Sequence, residues 1–389
     1  MGSAWLLGGK RTPIGRFLGD FANLPAPQLA GFCLKETVQS TGLNPSDIGE
    51  ILVGQVLTAG VGQAPARQAL NAAGLPDSIG AVTINKVCGS GLFAAMLAAR
   101  SIQAGFYKAA LAGGMESMSQ APHLLRQSRG GWKYGSQPLL DAIEVDGLRC
   151  ARKQNLMGHY AECVATQHSI GRSDQDAWSL LSHQRAVAAQ QQGAFEAEIA
   201  PVTVSDSLKV ALDAGPRADS SLEKLNRLKA AFDTAGTVTA GNASTLSDGA
   251  ASVLVVGDEI RQQLSHLTAF RIVAMSVHSH KPEDLFIAPV GAINKILDTA
   301  KLSASDIDLY EINEAFASQT IACIEGLELD RSKVNIHGGA IALGHPIGCS
   351  GARILVTLMH ALVRHQKRYG IAALCLGGGE AVAMLIERS

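Results

Sequence analysis

The chain has 389 residues, enough for about two to three domains with large buried cores. Its 33 basic and 34 acidic side chains give a formal net charge of −1, which argues against a nucleic-acid-binding protein because such proteins carry a strong basic excess. Aromatic residues make up only 5% of the chain, whereas glycine occurs 41 times. This composition predicts a tightly packed body of small residues, in which the glycines need an explanation.

Hydropathy and cysteine spacing exclude two further classes. No apolar run approaches the ~18 residues that cross a bilayer, and the N-terminal residues do not follow the pattern of a signal peptide. We therefore expect a soluble cytoplasmic protein that binds no membrane. The seven cysteines are odd in number and never form a Cys-x-x-Cys pair, so neither a disulfide framework nor a structural zinc site is expected.

Strand-like runs alternate along the chain with Ala- and Leu-rich helical segments, which is typical of an α/β protein. Two of the helical segments, at 92–102 and 352–363, are apolar almost all round, which predicts helices buried on every side. The strand-like runs are ILVGQVL (51–57), AVTINKV (81–87), AALAGG (109–114), SVLVVG (252–257), FRIVAMSV (270–277) and IAALCLGG (371–378).

Two parts of the chain resemble each other. The segment from Gly42 aligns with that from Lys301 at an offset of 259, and the turn at Gly89 aligns with that at Cys349 at an offset of 260. AALAGGME (109–116) resembles AALCLGGGE (372–380) at a slightly larger offset. If each half supplies one buried helix, the two helices form a central layer between two sheets. Outer helices would complete a five-layered α/β/α/β/α body.

The duplication leaves the stretch 117–249 without a counterpart, and this stretch is richer in charge and glutamine. It predicts an inserted loop subdomain, and such insertions commonly carry binding surfaces. We therefore expect a first half at 1–116 plus 250–267, the insertion at 117–249, and a second half at 268–389.

Cys88 stands where a β-branched run meets a Gly-Ser-Gly turn that opens a helix. A thiol at a helix N-terminus feels the positive end of the helix dipole, so its pKa is expected to fall below its usual value of about 8.5. The flanking glycines leave backbone N–H groups open to a substrate carbonyl. Cys88 is therefore a candidate nucleophile, and the alternative is a buried structural cysteine.

Three other residues are candidates for the same chemistry. His345 lies in a loop of Gly and Pro before the second buried helix, where a pKa of about 6.5 would suit acceptance of a thiol proton. Cys375 precedes the glycine run 377–379, whose bare backbone offers N–H groups to an oxyanion. Asn313 lies beside Glu314. The alternatives are a structural loop histidine, a tight-packing turn and a helix N-cap asparagine, respectively.

These residues lie in blocks that follow one another as NKVCGSG (85–91), GTVTAGNAS (236–244), NEAFA (313–317), GGAIALGHPIGCSGAR (338–353) and CLGGG (375–379). The blocks resemble the signatures of the thiolases, and the resemblance covers essentially the whole chain. It implies that Cys88 carries the acyl group as a thioester and that His345 takes the thiol proton. Cys375 would exchange protons with the substrate α-carbon and with the sulfur of coenzyme A. Asn313 would hold a water in one oxyanion hole, and the N–H groups of Cys88 and Gly377 would form the other.

The resemblance also implies that coenzyme A thioesters are substrates, without a permanently bound cofactor or a metal. The residues expected at coenzyme A are Ser244 at the pantetheine, Arg217 at the nucleotide, and Leu148, Met157 and Phe316 around the acyl group. The segment RGGWKYG (129–135) resembles the loop through which biosynthetic thiolases form tetramers, so a homotetramer is expected. The alternative for this segment is an exposed flexible loop.

The leading hypothesis is an acetyl-CoA C-acetyltransferase, which reversibly condenses two acetyl-CoA to acetoacetyl-CoA and CoA. Three departures from the family sequence leave the substrate range open. Leu156 stands where several acetoacetyl-specific members carry histidine, and residues 245–247 are Thr-Leu-Ser where Gly-Leu-Asn is usual. The segment CLGGGEA, which contains Glu380, replaces the commoner CIGGGMG. The alternatives are a degradative 3-ketoacyl-CoA thiolase of broader range and a non-catalytic acyl-CoA-binding relative. A ketoacyl synthase is disfavoured by Cys375, since those enzymes usually have histidine or asparagine there.

Overall fold

A computed structural model describes residues 2–389 of the chain. The strands are β1 Ala4–Arg11, β2 Gly15–Arg16, β3 Ile48–Gly54, β4 Gly80–Ile84, β5 Ala109–Ser117, β6 His123–Leu124, β7 Leu140–Asp141, β8 Val202–Ser205, β9 Leu208–Val210, β10 Ser247–Gly257, β11 Ala269–Ser279, β12 Leu309–Ile312, β13 Tyr369–Leu376 and β14 Glu380–Arg388. The α-helices are α1 Ala26–Thr41, α2 Pro65–Ala72, α3 Ser90–Gln103, α4 Met157–Gln167, α5 Arg172–Gln191, α6 Leu222–Asn226, α7 Asp258–Gln263, α8 Ala288–Ala300, α9 Ala317–Gly326, α10 Ala340–Leu343 and α11 Ser350–Arg364. A strand overlaps each of the six predicted runs, although β3 and β4 each end three residues before the run does, and both predicted buried helices are present. The α/β class is confirmed.

The main sheet has the strand order β12-β13-β14-β11-β1-β10-β5-β3-β4, with β2 paired to β10. The parallel pairs lie towards its two ends, where β3 joins β4 and β5 and where β12 joins β13. The two halves of the sheet meet in the middle, where β1 pairs with β11 over only three residues, Trp5 to Leu7. The two sheets expected from the sequence are therefore hydrogen-bonded into one continuous sheet.

The helices form layers on both faces of this sheet. α3 and α11 pack against each other and share one core with strands from both halves, so they are the central layer. On the outer faces, α1 and α2 cover the first half of the sheet, and α8 and α9 cover the second half. The first half of the sheet lies between α1 and α2 on one side and the central pair on the other, and the second half lies between the central pair and α8 and α9. This is the five-layered arrangement expected from the sequence, because two helices that are apolar all round need a sheet on each side.

Glycines set the distance between the two central helices. A Cβ atom at Gly91 would lie 2.7 Å from the backbone nitrogen of Ala352, and one at Gly351 would lie 2.5 Å from that of Leu92. The first turns of α3 and α11 therefore touch backbone to backbone, which only glycine permits. These two glycines are 260 residues apart, as are the starts of β5 and β13. The larger offset assigned to the third matching segment is therefore wrong.

Residues 118–246 connect β5 to β10. The corresponding strands of the second half, β13 and β14, are joined only by Gly377, Gly378 and Gly379. The connection holds the helices α4 to α6 and two small hairpins, β6-β7 and β8-β9. From this difference in length, we propose the division into two halves and one insertion that the sequence suggests. Within 2–389, no helix is long and apolar enough to cross a membrane.

Candidate active site

Cys88 lies two residues before α3, on a tight turn that its neighbours hold in place. The N–H of Lys86 donates to Ser90 Oγ at 2.8 Å, and the Ser90 hydroxyl donates to the carbonyl oxygen of Val87 at 2.6 Å. Val87 has a φ of 48°, a left-handed conformation that is costly for a β-branched residue. This turn presents Cys88 to a mainly apolar cavity.

The thiol of Cys88 is neutral in the substrate-free site. Burial raises its pKa to about 11, although the N–H groups of Gly377 and of Cys88 itself act in the opposite direction. The expectation that the start of the helix lowers this pKa is therefore wrong here. The reason is that loss of hydration penalises the thiolate more than the helix dipole, which acts mainly within the first turn, can offset. Cys88 therefore needs a base when it attacks a substrate.

His345 is placed to be that base. Its Nδ1 lies 2.6 Å from Ser350 Oγ, and the Ser350 hydroxyl donates to the carbonyl oxygen of Pro346 at 2.9 Å. A hydroxyl has one proton, so Nδ1 carries the proton of the first bond and Nε2 is left as the acceptor. Burial, helped by the charge of Arg353, lowers the pKa of His345 to about 3. The ring is thus neutral, with a pKa below the expected value of about 6.5.

Asn313 contacts the same histidine. Its Nδ2 lies 3.4 Å from His345 Nδ1, and because both nitrogens carry protons in this tautomer the contact is not a hydrogen bond. Its Oδ1 is buried without a hydrogen-bond partner in the described structure. Asn313 directly follows β12, and it lies four residues before Ala317, where α9 begins. It therefore does not cap this helix, and the N-cap alternative is wrong.

Cys375 is buried near the end of β13, and the turn 377–379 leads from there into β14. Burial raises its pKa well above the usual value, and the nearby Cys88 adds to the effect. Gly379 has a φ of 93°, and a Cβ atom there would lie 2.6 Å from the carbonyl oxygen of His280. The turn is therefore restricted to glycine at this position by both its conformation and its close packing.

One cavity of about 670 Å³ brings the two cysteines, the histidine and the glycine turn together, whereas Asn313 is not part of its wall. Its wall contains Cys88, His345, Cys375 and Gly377. The same wall contains all five residues expected at coenzyme A, namely Leu148, Met157, Arg217, Ser244 and Phe316. It also contains two of the departures from the family sequence, Leu156 and Thr245. The wall is mainly apolar, which is typical of a small-molecule site with a few polar groups. Within 2–389, no group of three or more His, Cys, Asp or Glu is arranged to hold a metal ion.

Glu116, which the sequence motifs do not single out, is fully buried behind the site. Its carboxylate accepts the N–H groups of Val56 at 3.0 Å, Leu57 at 3.2 Å and Gly348 at 2.9 Å. Burial nevertheless raises its pKa to about 7. Since Gly348 belongs to the loop of His345, Glu116 joins that loop to the chain that follows β3. A lone acidic residue in the otherwise apolar strand AALAGGME is the signal that could have revealed it.

Comparison with known proteins agrees with this geometry. The family model described as "Thiolase, N-terminal domain" matches residues 5–259, and the one described as "Thiolase, C-terminal domain" matches residues 267–388. The chain belongs to the thiolase family. A "Probable acetyl-CoA acyltransferase" of Staphylococcus aureus (strain COL) is 47% identical to this thiolase over 382 residues, which are 97% of each chain. The protein of the same name from strain MRSA252 is 46% identical over the same length and share of each chain.

A solved structure is similar over the whole thiolase chain. The crystal structure of the Bacillus anthracis acetyl-CoA acetyltransferase has a TM-score of 0.97 and 40% sequence identity to it, covering 100% of this chain and 99% of that one. Together with the relatives, this likeness makes the present thiolase an acyltransferase enzyme with the thiolase fold.

A second buried carboxylate supports the histidine loop of this thiolase. Glu314 accepts hydrogen bonds from Trp178 Nε1 at 3.1 Å, Ser182 Oγ at 2.7 Å, Asn335 Nδ2 at 3.0 Å and the backbone N–H of Ile341 at 3.2 Å. Two of these donors lie on α5 of the inserted stretch, and one opens α10, directly before the histidine loop. In the sequence this residue drew notice only as the neighbour of Asn313, because its four partners are distant along the chain.

Proposed function

We propose that this thiolase is an acetyl-CoA C-acetyltransferase, which condenses two acetyl-CoA to acetoacetyl-CoA and CoA and also runs in reverse. The observation that supports this proposal is that one cavity is lined by two thiols, Cys88 and Cys375, by the neutral imidazole of His345 and by Gly377 of the glycine turn. A Claisen condensation needs a thiol carrier, two proton acceptors and donors for an oxyanion. Each requirement has a group in this wall.

In the first half of the cycle, the Cys88 sulfur attacks the thioester carbonyl while its proton passes to Nε2 of His345. The tetrahedral intermediate then collapses, the bond between carbonyl carbon and the sulfur of coenzyme A breaks, and the Cys375 thiol gives its proton to that sulfur. The raised pKa values of both cysteines fit these roles, because both thiols carry their protons before substrate binds. The products are acetyl-Cys88, free CoA, a Cys375 thiolate and a protonated His345.

In the second half, the Cys375 thiolate removes an α-proton from a second acetyl-CoA. The carbanion attacks the acetyl carbonyl on Cys88, and collapse of this adduct breaks the bond to the Cys88 sulfur, which recovers its proton from His345. The N–H groups of Cys88 and Gly377 would stabilise the oxyanion on the acetylated cysteine, and a water held by Asn313 with His345 would stabilise the enolate. One such donor is typically worth about 3 to 4 kcal/mol.

Coenzyme A would enter through the part of the cavity formed by the inserted stretch. Ser244 and Arg217 would contact the pantetheine and the nucleotide, and Leu148, Met157 and Phe316 would surround the acyl group. No permanently bound cofactor is needed for this chemistry.

The proposal is tested by intact mass measurement after incubation with acetyl-CoA. We expect an acetyl adduct on the wild type and on Cys375→Ala, and none on Cys88→Ala. Cys375→Ala should in addition lose exchange of the α-protons of acetyl-CoA with solvent. Cys33→Ala is the matched control, since Cys33 is buried in α1 and does not contribute to the cavity wall as described.

Two results would contradict the proposal. Absence of an adduct on the wild type would favour the non-catalytic acyl-CoA-binding relative. Full condensation by Cys375→Ala would show that another group exchanges the α-proton.

The second candidate is a 3-ketoacyl-CoA thiolase of broader chain length. It is supported by the mainly apolar wall of the cavity, which contains Leu156 and the rings of Phe286 and Phe316, packed edge to face with centroids 5.3 Å apart. Thiolysis rates with C4 and C10 3-ketoacyl-CoA separate the two candidates. A preference for C4 supports the acetyltransferase, and equal or higher rates with C10 support the broader enzyme.

We also propose that the protein is a homotetramer. Two surfaces support association: β4 is an edge strand of the main sheet with Val82 39% exposed, and the segment 129–135 is exposed, with Tyr134 at 99%. Measurement of mass in solution tests this, and removal of 130–134 should convert tetramers to dimers while leaving acetylation of Cys88 intact. A cytoplasmic location stays a prediction.

A further inference from the structure

An ion pair joins the turn of the nucleophile to the glycine turn of the other half of the chain. Lys86 Nζ lies 2.6 Å from Glu380 Oε2. The two side chains are only 19% and 33% exposed, so water screens this pair less than a surface pair. The pair is also oriented by its neighbours, since Nζ lies 5.2 Å from the centre of the Phe93 ring and Ser279 Oγ donates to Glu380 Oε1 at 3.3 Å.

The positions of the two residues give the pair its importance. Lys86 stands two residues before Cys88, and Glu380 stands three residues after Gly377. A Cβ atom at Gly377 would lie 3.2 Å from Val87 Cγ1, so the two turns already lie side by side. β4 lies at one end of the main sheet and β14 lies in its interior, so no backbone strand pairing links the two strands. The ion pair therefore connects two turns that belong to separate parts of the sheet.

The contact between these turns also affects the thiol. The pKa of Cys88 is raised by burial and lowered by the N–H of Gly377. Because a hydrogen bond depends steeply on distance and angle, a movement of the glycine turn weakens this N–H contact. The same N–H is one of the two proposed oxyanion donors.

We propose that Lys86 and Glu380 are positioning residues that hold the glycine turn of Gly377 beside the turn of Cys88. They touch neither reacting atom, and they act through the distance between the two turns. This inference rests on the proposed function for its effect on acetyl transfer.

Two measurements test the pair. One is the pH dependence of alkylation of Cys88 by iodoacetamide, followed on the peptide that contains Cys88. The other is the rate of acetylation of Cys88 by acetyl-CoA. Glu380→Gln and Lys86→Met should each slow acetylation about five-fold, and should move the alkylation midpoint to higher pH by about half a unit. Lys86→Arg keeps the charge and should stay near the wild type.

The double variant Lys86→Met with Glu380→Gln should be acetylated no more slowly than the slower single variant, because each single change already removes the same ion pair. Glu259→Gln is the matched control. It breaks the ion pair between Lys108 Nζ and Glu259 Oε1, which are 2.8 Å apart and belong to residues outside the cavity wall, so it should change neither measurement. Glu380→Gln is isosteric, so it remains informative if Lys86→Met fails to fold.

Three outcomes would overturn the inference: single variants that match the wild type in both measurements, effects that multiply in the double variant, or an equal effect of Glu259→Gln. A wild type that is not acetylated would instead contradict the proposed function. Alkylation would still test the pair in that case, because it needs no catalysis.

Discussion

Replacement of Gly91 by alanine should destabilise the thiolase and slow its acetylation. Gly91 lies in the first turn of α3, where this helix touches the first turn of α11. An added Cβ would lie 2.7 Å from the backbone nitrogen of Ala352 and 3.1 Å from the carbonyl oxygen of Cys349. Both obstacles are backbone atoms, so one helix must move away from the other.

The magnitude follows from two opposing effects. Overpacking of a well-packed core costs about 1 to 3 kcal/mol, and the rigid obstacles place this site at the upper end of that range. Alanine in place of glycine within a helix returns about 0.5 to 1 kcal/mol. The net loss is about 2 kcal/mol, which for a chain of this length lowers the unfolding temperature by about 2 °C.

Urea unfolding followed by tryptophan fluorescence measures the loss, and the acetylation rate of Cys88 measures the displacement of the nucleophile. Gly2→Ala is the control, because a Cβ there meets only Asp258 Oδ2 at 3.6 Å. Equal stability of Gly91→Ala and Gly2→Ala, with wild-type acetylation in both, would refute the idea that this contact sets the spacing of the central helices.

Three further predictions concern buried polar groups. Burial lowers the pKa of His345 to about 3, so the neutral imidazole is present at any higher pH. The acetylation rate should therefore show no histidine inflection between about pH 5 and 8. An inflection near pH 6.5 that disappears in His345→Asn would contradict this. Ser350→Ala removes the partner of Nδ1 and should slow acetylation about ten- to a hundred-fold, and an unchanged rate would show that Ser350 does not set the tautomer. Arg11→Met leaves the buried carboxylates of Glu198 and Asp213 unpaired and should cost about 3 to 5 kcal/mol in urea unfolding, whereas a loss below about 1 kcal/mol would show that water reaches them.

Local patterns in the sequence predict most of the fold. The six strand-like runs become β3, β4, β5, β10, β11 and β13, and the two segments that are apolar all round become α3 and α11. These predictions succeed because burial on both faces leaves a signature in consecutive residues. The join between β1 and β11 could not be predicted, since it rests on three residue pairs between strands that are far apart in the chain.

The candidate site is predicted less evenly. Cys88, His345 and Cys375 stand beside glycines that mark unusual backbone, so their motifs identify them. The pKa of Cys88 could not be predicted, because burial depends on atoms brought in from both halves of the chain. The same applies to Glu116, whose three backbone partners come from two distant loops, and to Glu380, whose partner Lys86 is 294 residues away.

The duplication explains how a mainly apolar site can hold so many polar groups. The two matching turns at 89–91 and 349–351 face each other through their glycines, so the first brings Cys88 and the second brings the loop of His345 to the same place. Loops that meet inside a protein leave N–H groups without partners, and an unpaired buried donor is costly. Glu116 and Glu314 accept those N–H groups from behind the cavity. The two thiols and the imidazole in the cavity wall are all neutral before substrate binds. Charge therefore develops on these groups only along the reaction, where the N–H groups of the glycine turn would meet it.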